Sequence, residues 1–362
     1  MEHLGQRISY NQEALHTAVS LLPCPTDKLC FFDIETTGLS PKVSSLYLIG
    51  ISYLQGAQWH LEQWFADDYI SEEEILRSFA SSISHFETLI HYNGSTFDIP
   101  YLEKKYHAFH LPSPFADKAN LDLYKIIQKR KNVFPAPNRK LSTMERLVGF
   151  IRHDTYSGKD CIQLYTDFMQ KKFFRDPDAG AIKKRLLLHN HDDLIGTMLC
   201  SSFLLYMQYN PVCPSMKQQD MSLCFSDALT HPVPLPLAFD EKGVHYEYRQ
   251  SEFWLTVPLF EGTLYHFFPD YENYYYLPKE DTAIHKSVGK YVAPAFREKA
   301  KASNCYIKKT GTFLPLPKGI NWTAPIFKAS RRDAKIYHSW TEDSTLSKDE
   351  RIEILSGYTN VL

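Results

Sequence analysis

The chain of 362 residues is 44% hydrophobic and 23% charged, with a net charge of −2 and a pI near 6.7, so length and apolar content predict two packed domains and the overall charge singles out no partner. No run of about 18 uninterrupted apolar residues occurs, which excludes a spanning helix, and hence a membrane partner. Its seven cysteines are odd in number, without a CxxC pair or zinc-ligand spacing, and read as reduced thiols of a cytoplasmic protein.

In chain order, MEHLGQRISYNQEALHTAVSLLP is broken by Glu2, Arg7, Glu13 and His16. It reads as neither signal peptide nor anchor, and residues 1–27 are set apart as an N-terminal extension. KLCFFDIET, LYLIGISYL and QWHLEQWFA, divided by turn-like PKVSS and LQGAQ, predict three consecutive strands of a meander. In the first, Asp33 and Glu35 stand two apart, so they share one face while Phe32 and Ile34 fill the other. Such a pair is either a strand fraying into the Thr36-Thr37-Gly38 turn or two carboxylates held together by a divalent cation.

SEEEILRSFASSISHF follows as a helix capped by Ser71, and TLIHYNG as a fourth strand. Asp98, ahead of an apolar helical pattern with Pro100 in its first turn, reads as an N-cap or as a side chain delivered to the end of a sheet. Helical patterns cover about 99–109, 121–131, 142–150, 160–173 and 181–208, with Ser142 and Glu145 placed as a capping box. On a wheel of the last, His189 falls near Asp193 on a face of small residues (Gly196, Thr197, Cys200), and His191 points among the leucines.

DIETTG, NGSTFDIPYL about sixty residues later, and H-x-x-x-D near 190 together resemble the DEDD group of RNase H-like 3′–5′ exonucleases over residues 28–208. KLSTMERLVGFIRHDTYSGKD and HNHDD are more similar to its YprB-type branch. The resemblance implies an α/β fold, an RNase H-like mixed sheet flanked by helices over 28–212, with two Mg²⁺ or Mn²⁺ on Asp33, Glu35, Asp98 and Asp193. It further implies that Asp33 bridges the ions and that neutral His189 orients or deprotonates the attacking water. Many members have tyrosine four residues before the last acid and others histidine five before it; here histidine occupies the tyrosine spacing. Thr36, Thr37, Asn93 and Phe97 are candidates for substrate contact, and Lys140 and Arg152 for phosphate. The implied partner is nucleic acid, single-stranded ends rather than intact duplex, released as nucleoside 5′-monophosphates. The alternative is a nucleic-acid-binding or scaffold protein on the same fold whose catalysis has lapsed.

Beyond PVCPSMKQQD the texture turns rich in Pro, Tyr, Phe and β-branched residues, which predicts a mostly β domain over 213–362. Residues 286–335 carry twelve Lys/Arg against Glu298 and Asp333, a net of +10 that leaves −12 for the rest. Aromatics interleave this stretch (Tyr291, Phe296, Tyr306, Phe313, Trp322, Phe327), as suits a surface that follows a phosphate backbone and stacks bases, or one that docks a protein partner.

Overall fold

The computed structural model describes residues 1–8, 13–130, 133–134 and 136–359. They form two units, one of Met1–Gln208 with His231–Leu235, the other of Tyr209–Thr230 with Pro236–Leu362.

The first unit runs β1 (Glu2–Ile8), α1 (Glu13–Ser20), β2 (Leu29–Thr36), β3 (Leu46–Gln55), β4 (Gln58–Phe65), α2 (Glu72–Ile83) and β5 (Thr88–His91). It continues with α3 (Asp98–Ala108), β6 (Ala119–Asp122), α4 (Leu123–Lys129), α5 (Leu141–Leu147), α6 (Gly158–Phe173) and α7 (Ala179–Cys200). Its six strands are ordered β1-β4-β3-β2-β5-β6. The first four pair antiparallel, while β5 and β6 run parallel to β2, so the sheet is mixed. Gly56 at φ 62° makes the two-residue turn that lets Gln55 face Gln58 across the β3–β4 hairpin. Parallel strands need crossovers, and α2 and α3 supply them. Burial of Phe32, Tyr47, Phe65, Phe79 and Tyr165 between sheet and helices makes the core, with Tyr47 and Tyr165 stacked at 4.2 Å. Each such ring contributes about 1.5–3 kcal/mol.

Several local expectations change. Residues 2–8, set apart as an extension, pair with β4 as an edge strand. The pattern over 121–131 conceals β6, and its last residue lies outside the described residues. Ser71 precedes α2 but its hydroxyl donates to Asp68 (2.7 Å) rather than capping. Lys140, not Ser142, is the N-cap of α5; the capping box belongs to Ser157 and Asp160 on α6.

The second unit is rich in antiparallel strands. β7 (Ser215–Gln219), β8 (Ser222–Ala228), β9 (Leu237–Glu241), β10 (Val244–Arg249) and β11 (Glu252–Pro258) form a sheet ordered β7-β8-β11-β10-β9, with residues alternately buried along β8, β10 and β11. Then come β12 (Phe260–Phe267), β13 (Tyr274–Leu277), β14 (Thr282–His285), α8 (Lys286–Gly289) and β15 (Glu298–Lys299). β16 (Tyr306–Leu316), β17 (Ile326–Phe327), β18 (Ile336–Trp340) and α9 (Lys348–Thr359) complete it. The order β12-β16-β18-β17 closes on itself, because Lys328, next after β17, exchanges two backbone bonds of 2.9 Å with Tyr265 of β12. Leu264, Phe313 and Phe327 fill this small barrel. Among the described residues no helix is long and apolar enough to cross a membrane.

Candidate active site

The central strand β2 carries Asp33 and Glu35, and the start of α3, which follows the parallel strand β5, brings Asp98 beside them: its Oδ1 accepts from the backbone N–H of Ile34 (3.3 Å). Phe97 rather than Asp98 is the residue preceding the helix, so this carboxylate is turned to the sheet instead of capping. The fourth acid arrives on α7, which packs across β2 and β3. Gly50 on β3 permits that approach, since a Cβ there would lie 2.1 Å from Asn190 Oδ1 and 2.7 Å from Leu194 Cδ1.

Each polar residue of HNHDD has its own target. His189 Nδ1 lies 2.5 Å from Asp154, and its Nε2 stands 3.6 Å from Glu35 and 3.5 Å from Asp193. Asn190 donates to Asp33 Oδ2 (2.8 Å) and accepts from Gln63 (2.8 Å). Buried Asp192 accepts from the backbone of His153 and Asp154 (2.7 and 2.9 Å), which fixes the segment that holds His189. His191 turns away, 3.1 Å from Asp192 and on the wall of a separate cavity with Leu187 and Leu188.

Packing these acids together raises their proton affinity. Burial, then the charges of Asp193, Asp98 and Glu35, pushes the Asp33 carboxyl well above its ordinary range. Burial carries Glu35 up to about 8 against the pull of His189, and Asp98 up to about 7 against its backbone bonds. Burial disfavours the His189 cation, yet Cys161 and the charges of Asp193 and Glu35 outweigh it and raise the ring to about 11. Glu35, His189 and Asp193 each offer an atom, all within 4.8 Å of one another. Clustered carboxylate oxygens of this kind fit a hard divalent cation, which would relieve the crowding of negative charge.

Of the candidate substrate residues, Thr36, Phe97, Lys140 and Arg152 line a cavity of about 1180 Å³ that holds Asp33, Glu35, His189 and Asp193. Thr37 and Asn93 do not: Thr37 Oγ1 accepts from Ser45 (2.8 Å), and Asn93, at φ 65°, is held in a turn by Asp122. Arg152 differs from a free phosphate contact, because it donates to Glu145 (2.5 Å) and to Asp193. Glu145 is buried against Gly196, where a Cβ would lie 2.4 Å from its Oε2. Sequence reasoning missed Asp154, Asn190 and Gln63; the pairing of a histidine with a distant aspartate leaves no local pattern to read.

The RNase H superfamily profile matches residues 30–201. No curated protein matches the sequence. Among solved structures, the chain is similar to the family B DNA polymerase of the hyperthermophilic archaeon Pyrobaculum calidifontis, at 17% identity and TM-score 0.36, over 69% of this chain and 35% of that one. It is also similar to E. coli exonuclease I in complex with a dT13 oligonucleotide, at 13% identity and TM-score 0.32, over 60% of this chain and 54% of that one. The zinc-bound form of the E. coli ExoI–ssDNA complex gives 14% identity and TM-score 0.31, over 60% of this chain and 53% of that one. The chain thus spans about a third to a half of the length of these proteins.

Proposed function

We propose, from an RNase H-like first unit in which Asp33, Glu35, Asp193 and His189 line one cavity with Asp98 held beside them on Ile34, that the protein is a metal-dependent 3′–5′ exonuclease acting on nucleic acid. The observation that carries this reading is the convergence of Glu35, His189 and Asp193 beside Asp33 and Asp98. Asp33, Glu35, Asp98 and Asp193 would hold two Mg²⁺ or Mn²⁺, which when bound supply charge neutralisation at the scissile phosphate and the leaving oxygen. Asn190 and Gln63 hold Asp33 in place, and Tyr47 reaches Glu35 (3.4 Å). Asp154 on Nδ1 leaves His189 Nε2 facing the acids; the acids keep the metal-free ring protonated, and cations bound to them would lower its proton affinity so that Nε2 can orient water or take a proton. Exposed Lys140, Arg146 and Lys159 rim the cavity and suit phosphates, while exposed Leu39 and Ile151 offer an apolar wall to unstacked bases. This open mouth favours single-stranded ends, released as nucleoside 5′-monophosphates. We place the protein in the YprB-type branch on its KLSTMERLVGFIRHDTYSGKD and HNHDD stretches and in the cytoplasm on its seven free cysteines, with one domain to about residue 212 and a second after it.

The test is incubation of the full chain with end-labelled single- and double-stranded DNA and RNA, with Mn²⁺ or with EDTA. Single-nucleotide release from the 3′ end, abolished by EDTA, is expected. Asp33→Asn should abolish release while the metal-free protein melts no lower than wild type, because a repelling charge is removed, and its stabilisation by Mn²⁺ should shrink. Near-wild-type turnover in Asp33→Asn would overturn the two-metal reading.

A further inference from the structure

The second unit carries a groove of about 500 Å³ that none of the preceding chemistry uses. Its floor is the outer face of the small barrel. Strand pairing sets Phe267 opposite Tyr306, with Tyr265 two residues back on the same face and Leu264 turned inward. All three rings are half-buried, and Tyr306 meets Tyr265 and Phe267 edge-on, at 4.8 and 5.4 Å. Asp281 fixes Tyr306 by accepting from its hydroxyl (2.6 Å), and also takes Tyr276 and Lys308. One wall is residues 329–332, where Arg331 and Arg332 stand exposed with no carboxylate partner among the described residues. Ser303 and Ser330 add hydroxyls at the rim. Of the twelve Lys/Arg between 286 and 335, Lys308 alone is ion-paired among the described residues.

We infer that this groove binds single-stranded nucleic acid, with bases against Tyr265, Phe267 and Tyr306 and the phosphate backbone on Arg331 and Arg332. Aromatic faces beside unpaired guanidinium groups are what a sequence-tolerant strand needs, since every base has a π-face and every nucleotide a negative charge. A volume of this size accommodates a small organic group, within the range of about 300–1,000 Å³ typical of ligand clefts. An acidic peptide would find the arginines but no reason for three half-buried rings lining the groove, and the net charge of this stretch favours a polyanion. The inference does not rest on the cleavage chemistry.

Binding of the full chain to 5′-fluorescein-labelled dT20 and U20, read by fluorescence anisotropy in EDTA over a salt series, tests it without cleavage. Arg331→Ala/Arg332→Ala is expected to weaken binding about tenfold or more and to flatten the slope of log K against log salt by roughly 0.7 per lost phosphate contact. Arg331→Lys/Arg332→Lys should recover the slope. Phe267→Ala should weaken binding about five- to hundredfold and leave the slope as it was, because stacking releases no counterions. Lys242→Ala, an exposed charge outside the groove, should change neither. Unaltered affinity and slope in both groove variants would overturn the inference and give the groove to a protein partner. Should Phe267→Ala fail to fold, the arginine variants still decide the matter, because their side chains are exposed. Because binding is read without metal, absence of nuclease activity would leave this result standing, and the reverse holds too.

Discussion

Arg152 donates through Nε to Glu145 and through a terminal nitrogen to Asp193, so one guanidinium serves as internal counter-ion to a proposed metal ligand. Removing it should destabilise the metal-free protein by about 3 kcal/mol, the low end for breaking a buried pair since Arg152 keeps 15% of its surface, and should enlarge the rise in melting temperature caused by Mn²⁺. An unchanged melt with only a higher KM would mean that Arg152 meets substrate alone. The two histidines divide in the same way. His189→Ala should cut turnover at saturating Mn²⁺ by roughly 10²–10⁴, the range for a lost general base, whereas His191→Ala should stay within a few fold. A more damaging His191→Ala would remove the basis for the His189 assignment. Strand parity and helical spacing are local rules, so they could set Asp33 beside Glu35 and His189 beside Asp193; that these belong to one site with Asp98 came from the family resemblance. Asp154 and Glu145 were not legible, because what gives them meaning is a partner 35 residues away in one case and 7 in the other, brought in by a turn that carries no periodic signal.

At the level of elements, the contact of α7 with β3 depends on Gly50. Gly50→Ala would drive a Cβ into Asn190 and Leu194, and the helix must shift to accommodate it. The expected result is a loss of about 1–3 kcal/mol, as for other overpacked cores, together with a fall in activity as Asn190 leaves Asp33. A wild-type melting temperature with full activity would contradict this packing. The strands β2 to β5 and the helices α2, α3 and α6 followed from their periodicity, within a few residues at each end; the pattern over 181–208 overran α7, which stops at Cys200 and gives way to a 3-10 helix over Ser201–Met207. β1 did not, since LGQR is mostly exposed and owes its strand conformation to pairing with β4. β6 was hidden for a different reason: ANLD is four residues long, and the helical pattern that begins at once after it overlaps its last two.

For the whole molecule, the crowded acids make stability depend on pH. Glu35 lies at about 8 against an ordinary 4.5 and Asp98 at about 7 against 3.8, so the folded protein holds protons that the unfolded chain releases. The stability they contribute is complete below about pH 4 and is lost as pH climbs through 7 to 8. His189, raised from 6.5 to about 11, acts in the same direction at higher pH. In EDTA the melting temperature should therefore fall from pH 5 to pH 8.5, and excess Mn²⁺ should restore more of it at the upper end. A metal-free profile that is flat or rising would mean that these carboxyls do not confront one another. The second unit's strand-rich character was visible in its Tyr, Phe and Pro content, but the closure of β12-β16-β18-β17 was not, since it rests on backbone bonds between Tyr265 and Lys328, far apart in sequence. That closure tethers the arginine-bearing segment at both ends, at Lys328 on β12 and at Ile336 on β16. A loop already held in place surrenders little freedom on capture, so ligands of the groove should differ in residence time far more than in their rate of arrival.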